Sequence, residues 1–141
     1  MVSLSFNDIE ILHETLQQIK QCILMLQEWN EGLQSQEEWV KSSSGMQKLA
    51  ANCMVIEAIG EAVKKIEKRA GREFLNQRPE IPWQDVMSMR NRIAHGYLEI
   101  EETYVFSIIK EDLEPLLIAI QYLIDETEKQ MIERQVDEQN L

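Results

Sequence analysis

At 141 residues with 44% hydrophobic content, the chain has the length and the apolar material of one domain around one core, here residues 1–141. The opening residues MVSLSFNDIE carry neither a basic segment nor a small-residue cleavage site, and no run of about 18 apolar residues occurs, so a cytoplasmic protein without membrane contact is expected. The net charge of -11 argues against a broad nucleic-acid groove, because phosphate contacts need clustered Lys and Arg.

The basic residues are nevertheless focused. Lys64, Lys65, Lys68, Arg69, Arg72, Arg78, Arg90 and Arg92 lie in one middle segment between acidic arms, a distribution suited to a local anionic ligand.

In chain order, Ile9, Leu12, Leu16, Ile19, Ile23 and Leu26 recur every three or four residues and predict an amphipathic helix from Phe6 to about Trp29, with Ser5 as its N-cap. Residues 30–45, with two glycines and four serines around Glu37-Glu38-Trp39-Val40, predict a connector with at most a short helical turn. Met46, Leu49, Cys53, Ile56, Gly60, Val63 and Ile66 predict a second helix ending near Ala70, with Gly71 as its stop. Pro82 suits the first turn of a shorter third helix expected to end near His95. The last long helix is expected from about Glu101 to Met131, with Val105, Ile108, Ile109, Leu113, Leu116, Leu117, Ile120, Leu123 and Ile124 on one side and Pro115 kinking or splitting it. Residues from about 132 to 141 read as a polar C-terminal tail. No alternating β pattern appears, so the expectation is an all-α, antiparallel four-to-five-helix bundle. Cys22 and Cys53 lack CxxC spacing and read as small core residues. His13 has no partner at a useful spacing and reads as a surface residue.

The chemistry-bearing stretch is Trp83 to Tyr97. On one unbroken helix at about 100° per residue, Trp83, Val86, Met87, Ile93 and Ala94 form an apolar arc with Arg90 near its centre and Arg92 on the solvated side. A guanidinium facing inward needs a carboxylate, a phosphate or a subunit boundary, because stripping water from a permanent charge costs several kcal/mol. Asn91 and His95 share a flank of the same helix. Glu61 on the second helix either reaches Arg90 or His95, or belongs to an ordinary exposed charge ladder with Glu57, Lys64 and Lys68. Histidine, arginine and a carboxamide suffice for metal-independent RNA cleavage, since the ribose 2′-hydroxyl is itself the nucleophile. Standing alone, a His beside an Arg is more often a satisfied core or capping residue. No glycine-rich phosphate loop, metal-ligand cluster or Ser/His/Asp set supports another enzyme class, and no cofactor is expected.

Arg90-Asn91-Arg92-Ile93-Ala94-His95 fits R-x4-H, and the continuation to Tyr97 gives R-x4-H-x-Y. With Ile59-Gly60-Glu61-Ala62, Pro79-Glu80-Ile81-Pro82-Trp83, Met89-Arg90-Asn91-Arg92 and Glu111-Asp112-Leu113 before Pro115-Leu116-Leu117, the order and spacing over roughly residues 46 to 125 resemble the HepT-like toxins of the HEPN ribonuclease superfamily. That resemblance implies a homodimer in which the R-x4-H segments of two subunits line one cleft. It assigns Arg90 to the scissile phosphate, His95 to proton transfer and Asn91 to polar support; Glu61 and Lys65 on the second helix are candidate supporting residues beside them. It implies an endoribonuclease toxin of a type II toxin-antitoxin pair, cleaving RNA, tRNA among the targets, to a 2′,3′-cyclic phosphate. Its partner would be a minimal nucleotidyltransferase antitoxin that attaches AMP to Tyr97, where added charge and bulk would repel RNA. Two rivals stay open at this point: a non-catalytic HEPN module binding a nucleotide or the partner enzyme, and a purely structural dimeric bundle. The acidic stretch with Glu126, Glu128, Glu133, Asp137 and Glu138 is either an antitoxin-docking surface or a solvated helix end.

Overall fold

A computed structural model of the chain describes residues 4–93 and 100–140. Those residues form eight α-helices and one π-helical turn, with no β-strand among them: α1 (Phe6–Trp29), α2 (Glu37–Val40), α3 (Ser43–Ala70), α4 (Arg72–Leu75), α5 (Trp83–Met87), α6 (Met89–Ile93), α7 (Glu102–Ser107), the π turn Ile108–Asp112, and α8 (Leu113–Gln139).

Helix α1 starts where a capping box closes it. The Ser5 hydroxyl accepts from the Asp8 amide at 3.0 Å, and the Asp8 carboxylate accepts from the Ser5 amide at 3.3 Å, satisfying two end groups that helical bonding leaves open. Its buried residues are Ile9, Leu12, Leu16, Ile19, Ile23 and Leu26, the predicted stripe. Full burial of each such side chain contributes roughly 1.5–3 kcal/mol before entropy is set against it.

Cross-helix contacts establish the directions. Asp8 meets Arg69 at 2.7 Å, while Asn30 and Asn52 exchange amide hydrogen bonds of 2.8 and 3.2 Å in the interior, so α1 and α3 run antiparallel. His13 bonds Glu128 at 3.0 Å, Gln27 donates to Glu114 at 2.9 Å, and Arg134 donates to the Leu4 carbonyl, so α1 and α8 are antiparallel too. His13 is therefore not an unpartnered surface residue; its partner lies 115 residues along the chain, where no local spacing reveals it.

The second helix begins earlier than expected, at Ser43, because Ser42 caps it through the Gly45 amide. Gly45 is buried and Met46 exposed, which corrects Met46 as a core residue. A Cβ at Gly45 would lie 2.4 Å from the Glu38 carbonyl oxygen, so only glycine lets α3 approach α2 this closely. Helix α2 is the short turn expected in the connector; its buried Trp39 meets Phe106 of α7 edge-on, ring centroids 6.1 Å apart. At its other end α3 stops at Gly71, whose φ of 87° favours glycine.

The last segment does not break at Pro115 but widens just upstream of it. A proline cannot donate to the carbonyl four residues back and its ring crowds that group. Here the chain widens into the π turn, where the Leu113 amide reaches the Ile108 carbonyl, and Pro115 sits in the first turn of α8. The polar stretch beyond 132 continues α8, which is helical to Gln139. Cys53 is buried and Cys22 half-buried; burial, then Glu57, pushes the Cys53 thiol up to about 11, so it behaves as a small apolar group. No helix among the described residues is long and apolar enough to cross a membrane.

Candidate active site

The R-x4-H stretch begins on α6, but not on the single helix that the wheel assumed. Ser88 interrupts it: its hydroxyl donates to the Gln84 carbonyl at 2.7 Å, competing with the backbone, and its φ and ψ of -96° and 0° end α5. Helix α6 restarts with its own phase. Trp83, Val86 and Met87 face inward from α5, and Met89 and Ile93 from α6. Arg90 and Asn91 are exposed. The inward-facing Arg90 is thus corrected: Met89 takes the buried position, and the guanidinium pays no burial cost within the chain.

Glycine positions this region on the scaffold. A Cβ at Gly60 would stand 2.9 Å from the Val86 carbonyl oxygen, so α3 approaches the C-terminal end of α5 only because residue 60 has no side chain. The described part of α6 runs to Ile93, whose carbonyl accepts from the Glu101 amide at 3.1 Å. His95 and Tyr97, which lie between, are outside the described residues.

Arg92 is exposed, as expected, and of the two arginines in the signature it is the one with contacts. Its guanidinium carbon lies 3.9 Å from the centre of the Tyr104 ring, and its Nε is 3.8 Å from Glu101. It borders a cavity of about 560 Å³ with Asp85, Ser88, Met89, Tyr104 and Asp112. Burial pushes the Tyr104 hydroxyl upward, opposed by Arg92 and reinforced by Asp112, Asp85 and Glu101. Asp112 is also raised, by burial and then by neighbouring Glu111.

Most of the basic segment is locally neutralised. Lys64 pairs with Glu61 at 3.1 Å, Arg69 with Asp8 at 2.7 Å, Arg72 with Glu67 at 4.0 Å, Arg78 with Glu80 at 2.5 Å, and Arg92 with Glu101. Glu61 therefore takes the charge-ladder role among the described residues and is not joined to Arg90. Lys65 lines a separate groove between α1 and α3, with Lys68, Asp8 and Thr15. Arg90 makes no ion pair among the described residues, which leaves it a solvated cation on the signature helix. Among the described residues no group of three or more His, Cys, Asp or Glu is placed to hold a metal ion.

Residues 10–123, from the first turns of α1 to the middle of α8, match the family described as ribonuclease HepT-like. The chain belongs to the HepT-like ribonuclease family. It is 34% identical over 61 residues to a protein named "Probable ribonuclease HepT" from Thermococcus cleftensis, covering 43% of this chain and 52% of that one. It is 33% identical over 58 residues to "Putative RNase MJ1380" from Methanocaldococcus jannaschii, covering 41% and 50%. A third, "Putative RNase TTE0752" from Caldanaerobacter subterraneus, is 30% identical over 61 residues, covering 43% and 51%. The chain spans about half the length of these curated relatives. No solved structure matches.

For this HepT-like chain the family signature was readable and the orientation of its first residue was not. The signal for the break was present: a serine four residues after a glutamine carbonyl that its hydroxyl could reach, followed by Met89 and Ile93 at the i, i+4 spacing of a new buried pair. Arg92 carried no such signal, since its partners Glu101 and Tyr104 belong to the next helix and its approach.

Proposed function

We propose that this chain is a metal-independent endoribonuclease that acts as a homodimer and as the toxin of a toxin-antitoxin pair. The observation that carries the reading is the family match across residues 10–123, which contains Arg90-x4-His95 with Arg90 exposed on α6.

RNA supplies its own nucleophile. The 2′-hydroxyl oxygen attacks the adjacent phosphorus, the bond to the 5′-oxygen breaks, and a 2′,3′-cyclic phosphate forms with a free 5′-hydroxyl; no water enters and no metal is required. The protein's task is to move one proton and to hold the charge that builds on the phosphate. His95 is assigned to the proton, with an effect typically about 10² to 10⁴ in rate. Arg90 is assigned to the phosphate charge, a task for which a cation without a competing carboxylate is suited. Asn91 beside it is assigned to polar support, and tRNA is among the substrates of suitable chemistry.

Control is assigned to Tyr97. In a nucleotidyltransferase reaction its phenol oxygen attacks the α-phosphorus of ATP, pyrophosphate leaves, and the tyrosine carries AMP, whose charge repels the RNA backbone.

The test is expression of the wild type and His95→Ala without any antitoxin, comparing growth arrest, RNA integrity and the ends of the RNA fragments. The wild type is expected to arrest growth and leave cyclic phosphate ends, and His95→Ala to do neither. Equal toxicity of the two proteins, or intact RNA in both, removes the ribonuclease reading and favours a non-catalytic binding module. Incubation with the nucleotidyltransferase and ATP should place AMP on Tyr97 by peptide mass spectrometry; labelling elsewhere removes the control step alone.

A further inference from the structure

The outward face of α8 carries a pattern that the fold uses at only one point, where the Arg78 guanidinium lies 5.0 Å from the centre of the Tyr122 ring. Opposite its buried residues, Ile118, Tyr122, Asp125, Lys129, Ile132 and Val136 follow one another at spacings of four and three, the alternation of a coiled-coil seam. The apolar members are exposed to 53% at Ile118, 36% at Tyr122, 61% at Ile132 and 49% at Val136. Two pairs of large apolar side chains on one helix face, one pair at each end of the series, are more than scattered surface hydrophobics.

The two polar members are of opposite charge and stand in the middle. Although four residues apart on one helix, Asp125 and Lys129 form no ion pair with each other; Asp125 instead accepts from Gln121 at 2.9 Å. Lys129 has no ion pair among the described residues.

This order is self-complementary. When a second α8 is laid antiparallel about a two-fold axis at residue 127, Ile118 meets Val136, Tyr122 meets Ile132, and Asp125 meets Lys129, each pair occurring twice. A parallel arrangement sets Asp125 against Asp125 and Lys129 against Lys129, which like-charge repulsion disfavours. The acidic flank with Glu126 and Glu133 reinforces that choice, because only the antiparallel register brings each lysine opposite a carboxylate. We infer that the outward face of α8 is an antiparallel docking seam for α8 of a second copy of this chain, sealed at its two ends by apolar pairs and keyed at its centre by reciprocal Asp125–Lys129 pairs. The acidic C-terminal third of the molecule thereby gains a role independent of RNA cleavage and of any pairing through α6.

The experiment uses the intact chain and reads mass against concentration by analytical ultracentrifugation for the wild type, Asp125→Lys, Lys129→Asp and the double exchange. Both positions of change are exposed, and far-UV circular dichroism checks that each variant is folded. Each single exchange places like charges across the seam and is expected to weaken this association roughly tenfold, halving the mass at intermediate concentration, while the double exchange restores it. The register is read separately by mixing Ile118→Cys with Val136→Cys chains under mild oxidation. A disulfide needs Cα atoms about 4.4–6.8 Å apart, whereas two copies of position 118 would stand about 27 Å apart in this register. A 118–136 disulfide supports the seam. A monomeric wild type, single exchanges that leave the mass unchanged, a double exchange as weak as the singles, or a 118–118 disulfide each overturns it. None of these readouts depends on nuclease activity.

Discussion

Helices α1, α3 and α8 are 24, 28 and 27 residues long, whereas between Arg72 and Ile93 no helical piece exceeds five. A long helix satisfies nearly all its backbone groups internally and buries one continuous stripe. Each short piece spends most of its length on ends that need partners elsewhere. The three long helices hold themselves; the segment that carries the R-x4-H signature is held by them, chiefly by α3. The difference teaches that stability and chemistry are separable here, because the cation assigned to catalysis stands on a piece that contributes only Met89 and Ile93 to the core.

The sharpest way to break that division is to compare one substitution from each region. Ile56→Ala, at a fully buried position of α3, is expected to lower unfolding free energy by about 2–5 kcal/mol in urea titration. Arg90→Ala is expected to change it by no more than about 0.5 kcal/mol, as at other exposed positions, while reducing RNA cleavage by about 10² to 10³. A large stability loss from Arg90→Ala would show that the guanidinium is structural after all, and the division between scaffold and site would fail.

Gly60 sits at the junction and tests whether the two regions move together. In Gly60→Ala the new Cβ stands 2.9 Å from a backbone oxygen of α5, which cannot rotate aside as a side chain would. A loss of about 1–3 kcal/mol is expected, as for overpacked cores, with cleavage reduced beyond what the folded fraction explains because α5 and α6 shift as a unit. Full specific activity per folded molecule would mean that α6 is positioned by something other than its seat on α3.

The same contrast governs what could be read from the sequence. The stripe of α1 was legible residue by residue, because a 24-residue helix repeats its period often enough to fix its phase and Ser5 marks its start. The connector, the stop at Gly71 and the helical class were legible for similar local reasons. The site could be named from its motif but not oriented. Five residues hold little more than one turn, so a single interruption at Ser88 resets which side faces inward, and Arg90 and Met89 exchange places. Pairings such as His13–Glu128 and Arg92–Glu101 were invisible because they depend on which helices become neighbours, and period analysis within one segment does not contain that information.

Two carboxylates extend the comparison to its smallest expected effect, with opposite signs. Asp8, on α1, is held below its ordinary value of 3.8 by the Ser5 hydroxyl, then by Arg69 and the Ser5 amide. The folded state therefore favours its charged form, and the stabilisation is present above about pH 3.8 and is lost as pH falls through the lowered value. Asp112, in the π turn, is raised by burial and by Glu111. The folded state disfavours its charge, so stability falls as pH rises from 3.8, where the unfolded chain ionises, to the raised value, and stays lower above it. Melting temperatures across pH should thus diverge: Asp8→Asn below the wild type at pH 7 and Asp112→Asn slightly above it, with both differences shrinking as the solution is acidified below the ordinary carboxylate range. Offsets that do not change with pH would mean that the substitutions act through packing, and that charge is not what distinguishes the scaffold carboxylate from the one beside the cavity.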